Sequence, residues 1–126
     1  MTRFRILVVE DEAILALGLR LQLQRLGYVV TGVVNSGQGA LEAVGTSPPD
    51  LILMDISLRG DIDGVETARL IQKDAFIPVV YLTALGDEET IFRANTTRCV
   101  GFLEKPVSQQ QLEITLQETF DDLDVV

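Results

Sequence analysis

A chain of 126 residues with 47% hydrophobic and 23% charged residues has the size and balance of one folded domain, and it excludes a disordered or fibrous protein. Nineteen acidic residues against ten basic ones give a net charge of −9, which opposes binding to a phosphate backbone, so nucleic acid is not expected as a direct ligand. The absence of histidine removes Ser-His and Cys-His hydrolase schemes and His-ligated zinc, leaving carboxylates, hydroxyls and lysine to carry any chemistry.

The first expected strand is the apolar run Arg5–Val9, followed by a helical pattern over Glu12–Leu26 that Gly27 stops. A second strand over Val29–Asn35 leads to a helix at Gly37–Thr46, and Pro48-Pro49 separates that helix from a third strand, Leu51–Met54. The pattern continues with a helix at Gly64–Lys73, a strand at Val79–Leu82, a helix at Asp87–Thr96, a strand at Gly101–Leu103 and a helix at Ser108–Phe120, which Ser108 can cap. Short runs apolar on both faces, alternating with helices, suit a parallel sheet covered on both sides. The expectation is one doubly wound α/β domain over residues 1–126, with the acidic end Asp121–Asp124 fraying as a solvated terminus. No apolar run approaches the roughly 18 residues of a membrane helix, and Met1 to Arg5 lacks the hydrophobic region of a secretory signal. One cysteine, Cys99, allows no internal disulfide and is read as a small packing residue; a cytoplasmic protein is expected.

In a doubly wound sheet, functional groups gather beyond the carboxyl ends of the strands, where the winding reverses. That rule collects Glu10, Asp11 and Glu12 after the first strand, Asp55 at the end of the third, Thr83 at the end of the fourth and Lys105 after the fifth. Glu12 is read as a helix-capping carboxylate. Glu10 and Asp11 instead abut Asp55 across the sheet edge, and carboxylates this close raise one another's pKa unless a cation neutralises them. Magnesium meets that need, because it takes one or two carboxylates, keeps several waters and leaves a position for a phosphoryl oxygen. Asp55 closes the apolar run Leu51-Ile52-Leu53-Met54, where a carboxylate requires a cation or hydrogen bonds. A carboxylate can attack phosphorus to give an aspartyl phosphate, a reaction that asks the protein mainly for positioning and for positive charge on the phosphoryl oxygens. Lys105 and the metal supply that charge, and the Thr83 hydroxyl can hydrogen-bond the same oxygens.

Five stretches in this order and spacing carry a known pattern: Ile6 to Glu12, Leu51 to Asp55, Asp63-Gly64-Val65-Glu66, Ile77 to Ala84, and Gly101 to Pro106. Over essentially its full length the chain resembles a receiver domain of the two-component response regulator family. The resemblance implies a flavodoxin-like five-stranded parallel sheet in the order 2-1-3-4-5, with five helices. It implies phosphoryl transfer to Asp55 from a phosphohistidine on a partner histidine kinase or histidine phosphotransfer protein. Magnesium would be held by Glu10, Asp11, Asp55 and the backbone carbonyl of Ser57, while Thr83 and Lys105 would bind the phosphoryl group. With no histidine in the chain, the donor acts in trans. Such a domain catalyses only its own phosphorylation and dephosphorylation.

The family also implies a switch, in which the Thr83 hydroxyl moves toward the phosphate and Phe102 turns inward, repacking the fourth helix, fifth strand and fifth helix. Plain core packing is the other reading of Phe102. Lys105-Pro106 resembles the family's cis peptide. Two departures stand out: Leu58-Arg59 replaces a common Met-Pro pair, and the loop from Asp55 to Gly64 is one residue longer. Ser57 and Leu85 lie where the family tunes the lifetime of the phosphoryl group.

In the first helix, Leu15, Leu19, Leu23 and Leu26 form one stripe, and Ile14, Leu17 and Leu21 form another on the nearly opposite side. One stripe must face the sheet, and the other is either covered by the fifth helix or exposed; Ile14, Leu17 and Leu21 are expected as contacts for a partner or a homodimer. Two competing functions are a magnesium-dependent nuclease that pairs Glu10 with Asp61-Ile62-Asp63, and a phosphorylation-independent interaction module on the same fold. No effector segment follows the fifth helix, so a stand-alone receiver or part of a longer protein is expected, acting on an unidentified downstream protein.

Overall fold

In the computed structural model, which describes residues 3–124, five strands alternate with five helices. The strands are β1 (Arg5–Val9), β2 (Val29–Val34), β3 (Leu51–Asp55), β4 (Val79–Thr83) and β5 (Cys99–Glu104). The helices are α1 (Ala13–Arg25), α2 (Gly37–Thr46), α3 (Gly64–Gln72), α4 (Glu88–Ala94) and α5 (Gln109–Asp124). All strand pairs are parallel, in the spatial order β2-β1-β3-β4-β5. The expected architecture and winding are therefore observed.

Strand alternation sends Leu7, Val9, Ile52, Met54, Val79 and Tyr81 to one face, where α2, α3 and α4 cover them with Ala40, Val65, Ala68, Ile71 and Ala94. Ile6, Val8, Leu51, Leu53, Val80, Leu82 and Leu103 point to the other face, under Leu19 and Leu23 of α1 and Leu112, Leu116 and Phe120 of α5. Both faces are dry, which is why β1, β3 and β4 read as continuous apolar runs.

The punctuation works as the residue types require. Gly27, at φ 96°, ends α1 with paired bonds from its own N–H to the Gln24 carbonyl and from the Tyr28 N–H to the Leu23 carbonyl. Ser36, Asp63 and Ser108 cap α2, α3 and α5 by accepting the N–H groups of Gly39, Glu66 and Gln111.

Three elements, β5, α4 and α5, differ from expectation by two residues or more at an end. β5 runs for six residues, because pairing of Cys99 with Val79 and of Glu104 with Thr83 holds its two ends on β4, although Val100, skipped in the register, and Glu104 face solvent and interrupt the apolar pattern. α4 stops at Ala94, where the Thr96 and Thr97 hydroxyls take the Arg93 and Ala94 carbonyls and compete with helix continuation. α5, expected to end at Phe120 and fray, stays helical through its acidic residues to Asp124.

Candidate functional site

Strand register assembles the site. Val9 pairs with Met54 across β1 and β3, so the next residues, Glu10 and Asp55, emerge side by side at the carboxyl edge. Thr83 pairs with Glu104 across β4 and β5, and the Lys105 N–H donates to the Thr83 carbonyl at 2.7 Å, which brings the Lys105 side chain over the same edge. Its ammonium lies 3.0 Å from Glu10 Oε1 and 3.3 Å from Asp55 Oδ1. The Ser57 N–H donates to Asp55 Oδ1 at 3.1 Å. The Lys105–Pro106 peptide is cis.

Gly64 allows α3 to start this close. A Cβ there would lie 2.1 Å from the Asp55 carbonyl oxygen, a backbone atom that cannot swing away.

Burial controls the electrostatics. Desolvation pushes the Glu10 carboxyl up to about 7, against the Glu12 N–H and Lys105, which pull it down. Desolvation likewise raises Asp55 above the usual carboxylate range, opposed by the Lys105 ammonium and the Ser57 N–H. Burial also acts on Asp11, but the Arg59 N–H at 3.1 Å and its guanidinium at 3.3 Å hold that carboxyl below the usual range. Lys105 loses hydration too, yet Glu10 and Asp55 keep its ammonium above the usual range.

One oxygen each from Glu10, Asp11 and Asp55 falls within 4.8 Å of the others. Glu10 Oε1 is buried and receives no aligned hydrogen bond, although the Lys105 ammonium is at ion-pair distance. An all-oxygen donor set with excess negative charge and an unsatisfied buried oxygen fits a hard divalent cation such as magnesium.

The response regulator receiver domain model matches residues 6–117. The chain belongs to the response regulator receiver family. It is 33% identical over 86% of its length to the transcriptional regulatory protein PdtaR of Mycobacterium tuberculosis, and 36% identical over 87% to the DNA-binding response regulator MtrA of Mycobacterium leprae. It covers 52% and 48% of these proteins, so it spans about half the length of the curated relatives it matches. Among solved structures, it resembles the receiver domain of a modulated diguanylate cyclase from Desulfovibrio desulfuricans, with TM-score 0.86, 37% identity and 93% of each chain covered. NtrX of Brucella abortus gives TM-score 0.89 at 27% identity, with 96% of this chain and 28% of that one covered.

Within this receiver, Thr83 is buried at the edge, its hydroxyl 3.4 Å from the Leu103 carbonyl. Phe102 is half-buried, stacked on Tyr81 with ring centroids 5.9 Å apart, and lies beside a cleft formed with Glu104, Pro106, Ser108 and Gln111. Ile14, Leu17 and Leu21 are exposed, while Leu19 and Leu23 are buried, so the two stripes of α1 separate as expected. Cys99 is half-buried, with its thiol pushed up by desolvation, as a packing residue requires. No helix among the described residues is long and apolar enough to cross a membrane.

Some residues do other work than expected. Glu12 occupies the N-cap position of α1 but makes no side-chain cap bond; its carboxylate instead lies 3.8 Å from Lys105, and Glu10 Oε2 accepts the Glu12 N–H. In the Asp61-Ile62-Asp63 segment, Asp63 caps α3 and pairs with Arg93 at 3.0 Å, apart from the Glu10 cluster, which removes the geometric basis of a nuclease centre. In place of the family's Met-Pro pair, Leu58 is buried in the core and Arg59 sits on Asp11. Arg59 was legible only as an unusual residue, and Asp87 only as a helix start. Asp87 in fact accepts the Ser57 hydroxyl and the Ala84 N–H, each at 2.7 Å.

Proposed function

We propose that Asp55 accepts a phosphoryl group from a phosphohistidine on a partner histidine kinase or histidine phosphotransfer protein. The observation that carries this reading is the Lys105 ammonium lying between Glu10 Oε1 and Asp55 Oδ1, at 3.0 and 3.3 Å, with both carboxylates buried. Magnesium, when bound by Glu10, Asp11, Asp55 and the Ser57 carbonyl, supplies positive charge to the phosphoryl oxygens.

The Ser57 N–H and Lys105 both engage Asp55 Oδ1, which fixes the carboxylate plane and leaves Oδ2 to bond phosphorus. A P–O bond forms as the donor's P–N bond breaks, and the electron pair returns to the imidazole nitrogen. Lys105 then neutralises the transferred oxygens, and the Thr83 hydroxyl leaves its long contact with Leu103 to donate to one of them. Water later attacks the phosphorus, the bond between phosphorus and the Asp55 oxygen breaks, and inorganic phosphate leaves with the carboxylate restored, so the receiver acts as a switch.

Movement of Thr83 opens room beside β5 for Phe102 to turn inward, biasing α4, β5 and α5 toward the arrangement that a downstream protein reads. Ile14, Leu17 and Leu21 form the contact for the donor or for a second receiver. Alanine at all three positions is expected to slow phosphotransfer or to abolish self-association; no change in either removes that assignment. The reading also places the chain in the cytoplasm as a single domain.

Incubation with magnesium and acetyl phosphate, followed by intact-mass measurement, tests the central step. The native chain is expected to gain one phosphoryl group and Asp55→Asn none. A folded, metal-supplied native chain that gains nothing is instead a phosphorylation-independent interaction module.

A further inference from the structure

Building on the assignment of Asp55 as acceptor, we propose that Asp87 is a positioning residue that latches the unphosphorylated receiver and limits how fast Asp55 is phosphorylated. Its carboxylate bridges two loops. Oδ1 accepts the Ser57 hydroxyl from the loop after β3, and Oδ2 accepts the Ala84 N–H from the loop after β4, both at 2.7 Å. Ser57 also gives its N–H to Asp55 Oδ1, so one residue separates the latch from the acceptor. Ala84 directly follows Thr83, so the same carboxylate holds the strand end that carries the phosphate-binding hydroxyl.

The two arms differ from the hold on Thr83 itself. Short hydrogen bonds to a carboxylate are the stronger kind, although solvent around both arms reduces their worth. The Thr83 hydroxyl, by contrast, has a 3.4 Å contact with the Leu103 carbonyl, at the long limit of a hydrogen bond. Restraint on the loop after β4 therefore comes from Asp87 more than from Thr83.

A phosphoryl group on Asp55 acts against this latch in two ways. It replaces the single negative charge of the Asp55 carboxylate by about −1.5 to −2 on the phosphoryl oxygens, a net gain of up to about one negative charge near the Asp87 carboxylate. It also brings new acceptor oxygens to the neighbourhood of Ser57 and Ala84, the donors that Asp87 now holds. Release reaches α4 directly, because the Asp87 carbonyl accepts the Ile91 N–H at 2.8 Å in the first turn of that helix. Farther along α4, Arg93 pairs with Asp63 at 3.0 Å at the start of α3. The latch thus joins the acceptor to the helix whose position the proposed switch changes.

The test compares the native chain with Asp87→Asn, which keeps shape but loses charge, and Ser57→Ala, which loses one arm and keeps the charge. Phosphorylation by acetyl phosphate with magnesium is followed by intact mass across donor concentrations, and the Ala84 amide is followed by NMR. The maximal rate is expected to rise about three- to tenfold in Asp87→Asn, as loss of one exposed charged hydrogen bond implies, and less in Ser57→Ala. The half-saturating donor concentration stays unchanged, and the Ala84 amide proton moves upfield in Asp87→Asn. Native and Asp87→Asn chains that react at equal maximal rates overturn the latch and leave the Asp55 assignment standing. A fall in melting temperature without a rise in rate makes Asp87 merely structural and also overturns it. A native chain that takes no phosphoryl group removes the Asp55 assignment, and the latch with it.

Discussion

Replacing Glu10 by glutamine in the metal-free protein should weaken the dependence of stability on pH. Desolvation sets the Glu10 carboxyl at about 7 in the folded chain, against 4.5 for the free group. Below the lower value the carboxyl is protonated in both states and makes no difference. Between the two values the unfolded chain has released its proton while the folded chain keeps it, so folding takes up a proton and stability falls as pH rises. Above about 7 the loss is complete. At about 1.4 kcal/mol per pKa unit the interval corresponds to about 3 kcal/mol, and relaxation of the pocket brings the expected value to about 2–3 kcal/mol. Asp55, also raised by burial, adds a contribution of the same sign in both proteins. Urea unfolding at about pH 5 and about pH 8 should therefore show the stability of Glu10→Gln relative to native increasing by that amount. Saturating magnesium binds the ionised form and should flatten the native curve. A stability difference that stays constant from acid to alkaline pH would refute the argument that Glu10 is buried at a cost in its charged form.

Gly64→Ala should lower stability by about 2–4 kcal/mol in the same urea assay, since the new Cβ would meet the Asp55 carbonyl oxygen at 2.1 Å and the end of β3 must move. An unaffected midpoint would show that α3 shifts freely. Arg59→Ala should raise magnesium affinity about three- to tenfold by calorimetric titration, because it frees Asp11 from a guanidinium at 3.3 Å. Equal affinities would mean that Arg59 does not compete with the cation. Leu116→Ala, at a fully buried position between α5 and the sheet, should cost about 2–5 kcal/mol of unfolding free energy. A change under about 0.5 kcal/mol would place that helix face at solvent.

Much of this receiver is written in local chemistry. The runs Ile6 to Val9, Leu51 to Met54 and Val79 to Leu82 are apolar on both faces because helices cover both sides, so their strand character needs no partner to be seen. Glu10, Asp11, Asp55, Thr83 and Lys105 stand at the ends of those strands and of β5, and the parallel winding alone delivers them to one edge. Element boundaries were less legible where local pattern and long-range pairing disagree. β5 extends past solvent-facing Val100 to Cys99, and on to Glu104, because β4 pairs with both ends, a fact absent from its own six residues. The first helix shows the same division: its two stripes are periodic in sequence, but only packing against the sheet decides that Leu19 and Leu23 are buried and that Ile14 is exposed.

By itself, then, the sequence determined the doubly wound sheet and the five residues of the acidic edge, because both follow from short-range periodicity and strand-end position. Only the tertiary structure decided that Glu12 faces Lys105 instead of capping α1, that Arg59 sits on Asp11, and that Asp87 bridges Ser57 and Ala84. Two of these contacts join residues 48 and 30 positions apart, Arg59 with Asp11 and Ser57 with Asp87. Long polar side chains on loops choose partners by proximity after the chain has folded, and no local pattern encodes that proximity.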